Sequence, residues 1–189
     1  MPAAIEQIWT VDDLDAFPDD GNRYEIMDGV LFVSPPPSVR HEYGVSDLFA
    51  LVINYVRRHG LGDALGPTTG VQRGQRTFVL PDLFVVPLEN GVRPVNPRLA
   101  RPRLVIEIVS PSSRFRDHGV KRDFYQHVAD LYWIVDLRRR VVHVWRPGAT
   151  NPEVVTDQLR WQPSPSHSPL VIDLPALFDA PPSDTDDGD

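Results

Sequence analysis

Cysteine is absent from the sequence. That excludes disulfides, thiolate zinc sites and cysteine nucleophiles, and is compatible with the reducing cytoplasm taken as the expected location. Long apolar runs are also missing. The longest, Leu48–Ile53, falls far short of the roughly 20 residues that span a bilayer, so no membrane partner is expected. The segment from Met1 to Val11 carries Glu6 and no basic residue, unlike a secretory signal. Lysine is almost absent: eighteen arginines stand against one lysine, Lys121. A composition so biased fills ordinary surface positions with arginine. A position that keeps lysine is a candidate for work needing a compact ammonium of tunable pKa on a flexible stem.

What is present describes an ordinary globular chain. Its 189 residues suit one domain with a sizeable core, expected over 1–178, and 41% of them are apolar and 24% charged. The net charge of −7 is misleading, because Asp179, Asp184, Asp186, Asp187 and Asp189 crowd the last eleven residues; without them it is −2. That acidic, proline-containing tail, 179–189, is expected to be disordered. Between Arg93 and Arg140, eleven basic residues meet five acidic ones, a local charge of +6. Either these arginines form the field an anionic polymer would feel, or they solvate a surface.

Tyr24–Val33 reads as a hairpin, two β-rich runs around Asp28-Gly29, a strong two-residue turn signal. Pro35, Pro36 and Pro37 then stop the strand. Val39 to His59 reads as a helix, with Val45, Leu48, Phe49, Val52, Ile53 and Val56 at three- and four-residue spacing and Gly60 as its stop. One or two short strands are expected in Leu61–Gln72, and one strand over Phe78–Val86, entered through Pro81. Leu104–Val109 is a buried strand. Arg116–Val128 is a helix with Val120, Phe124 and Val128 along one face. Leu131–Asp136 and Val141–Trp145 form a further hairpin, with edge strands at Val154-Val155 and Leu170–Ile172. Tyr132 and Trp133 read as core or interface aromatics. The order predicts an α/β (α+β) domain: a mixed β-sheet flanked by helices, with an extra N-terminal β-hairpin.

Glu107 interrupts the apolar strand Leu104-Val105-Ile106-Glu107-Ile108-Val109. A buried ionised carboxylate is costly unless paired, protonated, metal-bound or facing a cleft. Its structural alternative is a salt bridge to Arg103 or Arg122. Asp82 follows Pro81 at a strand start; its alternative is a turn aspartate bonding nearby amides. Taken together, acidic side chains on neighbouring strands can bind Mg²⁺ (or Mn²⁺), which prefers hard oxygen ligands and keeps several waters, and the main-chain carbonyl of Ile108 can complete the shell. A nearby lysine can position or deprotonate the attacking water and offset developing charge. Lys121 lies four residues after Asp117, so an exposed helical pair is its alternative. Glu25 faces opposite to Tyr24 and Ile26, towards either solvent or a site. Ser110, Ser112 and Ser113 have no histidine placed to serve them and read as helix caps. His118 and His127 read as surface. Tyr125, one turn beyond Lys121, either orients a site group or belongs to the core.

Pro81-Asp82, Glu107 within a strand, then Lys121 resembles the PD-(D/E)XK nuclease superfamily. The departure is the position two residues after the glutamate, where Val109 stands in place of lysine; in one branch the lysine comes from the following helix. Arg23-Tyr24-Glu25-Ile26-Met27-Asp28-Gly29, Ser34-Pro35-Pro36, Arg40-His41, Glu107-Ile108-Val109-Ser110-Pro111-Ser112, Asp117 with Gly119 and Lys121, Tyr125, and Tyr132-Trp133-Ile134-Val135-Asp136 resemble the Uma-two family, over roughly Thr10 to Phe178. The resemblance implies a restriction-endonuclease-like fold, Asp82 and Glu107 as metal ligands, Lys121 as catalytic lysine and Glu25 as a further ligand. It raises His41, otherwise read as structural, to a site contact. The expected activity is Mg²⁺-dependent hydrolysis of DNA phosphodiesters, with a homodimer plausible for cutting two strands. The alternatives are a non-catalytic nucleic-acid-binding or assembly module on the same fold, and a metal-dependent phosphohydrolase of a small substrate.

Overall fold

Asp28 and Gly29 both adopt positive φ, 51° and 85°, which the tight turn of a two-residue hairpin demands. They join β1 (Arg23–Met27) to β2 (Val30–Ser34), with Met27 opposite Val30. In the computed structural model, which describes residues 7–110 and 114–179, this hairpin is not an appendage. The other edge of β1 pairs with β5 (Phe78–Val79), which pairs with β4 (Val71–Gln72), giving a four-stranded sheet ordered β2-β1-β5-β4.

A six-stranded sheet contains β3 (Asp63–Leu65), β6 (Leu83–Val86), β7 (Leu104–Ile108), β8 (Tyr132–Asp136), β9 (Val141–Trp145) and β10 (Glu153–Val155). Their order is β10-β9-β8-β7-β6-β3. Only β7 and β8 run parallel. A parallel pair needs a crossover, supplied here by the helical segments between them. Both strands are buried throughout, as central strands covered on two faces must be.

The single strand expected over Phe78–Val86 is in fact two. Proline has no N–H to continue a ladder, and at Pro81 the chain leaves one sheet for the other. Asp82 therefore sits where the two sheets meet, within reach of residues from both.

The helix α1 (Val39–Arg58) is capped by Ser38, whose hydroxyl accepts from the His41 amide. Leu48, Val52 and Val56 are buried in the main core, with Val45, Phe49 and Ile53 packed against it. Gly44 lets α1 pass close to Leu137, whose Cδ1 would lie 2.8 Å from an added Cβ.

The helix expected over Arg116–Val128 breaks at Gly119 into α2 (Arg114–His118) and α3 (Val120–Val128). Val120 is exposed and Phe124 and Val128 are half-buried, whereas Lys121 and Tyr125 are buried. A helix covering a polar site turns its polar stripe inwards.

An unexpected strand, β11 (Gln158–Trp161), pairs with β12 (Leu170–Asp173). Leu159, Trp161 and Ile172 enter the main core with Leu174, Leu177 and Phe178 of α4 (Leu174–Asp179). Residues 180–189 of the acidic tail, residues 1–6, and Ser112 and Ser113 lie outside the described residues. Among the described residues no helix is long and apolar enough to cross a membrane.

Gly62 precedes β3 in close contact with the end of β6. A Cβ there would lie 2.1 Å from the Val86 carbonyl oxygen, a backbone atom that cannot step aside. Gly62→Ala is expected to cost about 3 kcal/mol by urea denaturation. A loss below about 1 kcal/mol would show that the two segments separate easily.

Candidate active site

Arg23, Glu25, His41, Asp82, Glu107 and Lys121, from four different elements and the loop at Asp82, line one cavity of about 650 Å³. Ile108 and Ser110 also line it. In β7, Leu104, Ile106 and Ile108 point into the main core. Strand alternation sends Glu107 to the opposite face, towards α3. In β1 the same alternation carries Glu25 to the site, where it is 1% exposed, so its choice between solvent and cavity falls to the cavity.

Lys121 lies in the first turn of α3 and is 2% exposed. Its Nζ donates to Glu107 Oε1 at 2.8 Å and stands 2.9 Å from Glu25 Oε1 and 3.9 Å from Asp117 Oδ1. The exposed Asp117–Lys121 pair considered from spacing is instead two buried groups. Tyr125, one turn on, donates its hydroxyl to Glu107 Oε1 at 3.2 Å. Glu107 thus meets neither Arg103 nor Arg122; the latter pairs with Asp123 at the surface.

Asp82 forms the second cluster. Its Oδ2 accepts from the Ile108 amide at 2.8 Å and contacts His41 Nε2 at 2.9 Å, while Oδ1 accepts from Arg23 Nη1 at 2.7 Å. It is not a turn aspartate bonding its neighbours: its partners lie 26, 41 and 59 residues away. His41 is 8% exposed, and among the described residues its buried Nδ1 has no hydrogen-bond partner. Arg116 completes the surround, donating to Ser34 Oγ at 2.8 Å and standing 3.6 Å from Glu25 Oε2.

These contacts set the charges. Burial alone would raise Asp82, but His41 and Arg23 outweigh it and hold the carboxyl down at about 2. Glu107 goes the other way. Burial drives it well above the ordinary glutamate value; Lys121 opposes this, while Asp82, Asp117 and Glu25 add to the rise. Burial disfavours the Lys121 ammonium, yet Glu107, Glu25 and Asp117 together hold it above its usual value, so it stays charged. Burial, then Glu107 and Glu25, keep the Tyr125 hydroxyl protonated as a donor.

Does this donor set suit a hard divalent cation? Glu107 places both described hydrogen bonds on Oε1, leaving Oε2 without one. Asp82 Oδ1 accepts one bond only. Two carboxylates with oxygen lone pairs to spare, one of them pushed towards protonation by burial and then by its anionic neighbours, match such an ion. Among the described residues no three His, Asp or Glu side chains gather as a metal cage. The fit is therefore to an ion that keeps carbonyl and water ligands, as Mg²⁺ does.

Of the residues singled out from sequence, Lys121, Glu107, Glu25, Asp82, His41 and Ile108 all reach this cavity, and Tyr125 reaches it through Glu107. Sequence reasoning missed Arg23 and Arg116 as site residues. Arg23 was detectable, since strand alternation puts it on the same face as Glu25. Nothing in the local sequence marks Arg116.

No curated protein matches the chain in sequence. A solved structure from Anabaena variabilis, described as "a putative nuclease belonging to DUF820", matches with a TM-score of 0.70 over 89% of this chain and 97% of that one, at 22% identity. That likeness shows a shared fold. The family model described as "Uma2: Putative restriction endonuclease" matches residues 11–175, from the turn before the hairpin to the last helix, and so this chain belongs to the Uma2 family.

Proposed function

We propose that the chain is a single-domain, divalent-metal-dependent endonuclease acting on DNA, with Asp82 and Glu107 as metal ligands and Lys121 as the catalytic cation. The observation that carries this reading is the burial of the chain's one lysine between Glu107 and Glu25 in the cavity that Asp82 also lines. In it, Mg²⁺ or Mn²⁺ would be held by Asp82, Glu107 and the main-chain carbonyl of Ile108. Glu25 gives Oε1 to the Leu80 amide and Lys121, so Oε2 is the oxygen it could add as a further ligand. A divalent cation bound there supplies Lewis-acid polarisation of a phosphodiester and of its attacking water.

The chain's own groups do the rest. Lys121, held charged, cannot accept a proton; it neutralises charge that builds on the phosphoryl oxygens and fixes the Glu107 carboxylate. Tyr125 orients the same carboxylate through its hydrogen bond to Oε1. The Ile108 amide and His41 orient Asp82, tying it to β7 and to α1. Arg40 and Arg138 line the same cavity and give an anionic backbone a cationic approach. Cutting both strands would call for a homodimer, which we assign to the working form.

Purified protein is expected to nick supercoiled plasmid in Mg²⁺ or Mn²⁺ and to stop in EDTA, with Asp82→Ala inactive. Nicking that is equal with and without metal, or equal in Asp82→Ala, would overturn the reading.

A further inference from the structure

Arg116 stands against Glu25; the two cations at the proposed metal ligands, Lys121 at Glu107 and Arg23 at Asp82, are held differently. Lys121 has a side chain 3% exposed and is clamped between two carboxylate oxygens. Arg23 has a side chain 21% exposed and makes one described hydrogen bond, from Nη1 to Asp82 Oδ1. The other partners of Asp82 are a main-chain amide of β7 and a shielded histidine ring, both built into the framework and both on Oδ2. Arg23 alone occupies Oδ1, from the first residue of β1, on a long flexible stem.

We propose that Arg23 is a displaceable stand-in cation: it neutralises Asp82 while the divalent ion is absent and gives up Oδ1 when that ion binds. The inference rests on the reading of Asp82 as a metal ligand. Its physical basis is simple. Asp82 is 2% exposed, and a carboxylate so buried needs a countercharge at all times. A divalent ion at Asp82 satisfies that need, and it repels a guanidinium sharing the same oxygen. Arg23 can leave, because it is partly solvated and held by one bond. Lys121 cannot, because leaving would strand Glu25 and Glu107 together. One cation of the pair is thus permanent and the other exchangeable, and Arg23 lowers metal affinity while protecting the metal-free fold.

The test uses the full chain and Mn²⁺ alone. By isothermal titration calorimetry, Arg23→Met is expected to bind Mn²⁺ about tenfold tighter than wild type. Its melting temperature should be lower without metal and should rise further on adding Mn²⁺ than wild type does. Arg23→Lys keeps the charge and should stay within about threefold of wild-type affinity. Should Arg23→Met fold only when Mn²⁺ is present, competition is supported directly. Equal or weaker Mn²⁺ binding by Arg23→Met overturns the inference while leaving the metal site standing, provided wild type binds and Asp82→Asn does not. If wild type itself binds no Mn²⁺, the metal reading of the site falls and the inference with it.

Discussion

Glu107→Gln is expected to lose cleavage by about a thousandfold or more while keeping the melting temperature within about 3 °C of wild type. Both halves follow from the surroundings of one carboxyl. Glutamine has nearly the volume of glutamate, and its amide oxygen can still accept from Lys121 and Tyr125, which lie 2.8 and 3.2 Å from Oε1. What disappears is the charge, and with it the hard ligand proposed for a divalent ion. The fold hardly needs that charge. Burial pushes Glu107 well above its ordinary value; Lys121 resists, while Asp82, Asp117 and Glu25 push further. A neutral isostere relieves that strain, and Lys121 keeps Glu25 at 2.9 Å as its partner. Stability held down by a functional charge is the usual trade at a working site. The measurement is plasmid nicking in Mn²⁺ beside a thermal melt. Wild-type nicking by the variant would remove Glu107 from the chemistry. An unfolded variant would show that its first duty is to neutralise Lys121.

The sequence made some of this site readable and concealed the rest, for physical reasons. Glu107 and Asp82 stood out because a charge inside or beside an apolar strand is costly and demands a cause. Lys121 stood out against eighteen arginines. The long helix, the hairpin and the central strands were legible because burial on one or two faces leaves a period in the sequence. On α3, Val120, Phe124 and Val128 form an apolar stripe, but the buried face is that of Lys121 and Tyr125, because the polar site lies beneath it. Pro81 was read as a strand entrance, whereas it marks a passage between two sheets, which no local pattern distinguishes. β11 was missed because Gln158-Leu159-Arg160-Trp161 is short, although it alternates as a half-buried strand should. Arg23 meets Asp82 across 59 residues, and such pairings follow from topology. The topology in turn hangs on the Asp28-Gly29 turn and on β1 lying beside β5.

Lys121→Met should be the most destabilising change in the site. Methionine fills much the same volume and removes the ammonium, leaving Glu25 and Glu107, 1% and 3% exposed, without the cation they share. Removing one member of a buried ion pair costs about 3–5 kcal/mol, because the charge left behind remains desolvated. The carboxyls can escape by taking up protons, and the sign of the pH effect follows. Without the ammonium nothing at Lys121 opposes the rise that burial gives Glu107, so the folded state binds more protons than the unfolded state. Stability is then greatest in acid and falls as pH rises. The variant should gain stability between about pH 8 and about pH 5, a window in which wild type, where Lys121 opposes the rise of Glu107, gains less. Lys121→Arg tests shape rather than charge. A planar guanidinium must enter a space built for a point charge, and overpacking there should cost about 1–3 kcal/mol even though neutralisation is kept. Urea denaturation at two pH values and single-turnover cleavage in Mn²⁺ report both properties. A methionine variant within about 1 kcal/mol of wild type and insensitive to pH would mean that water or another cation already neutralises Glu25 and Glu107.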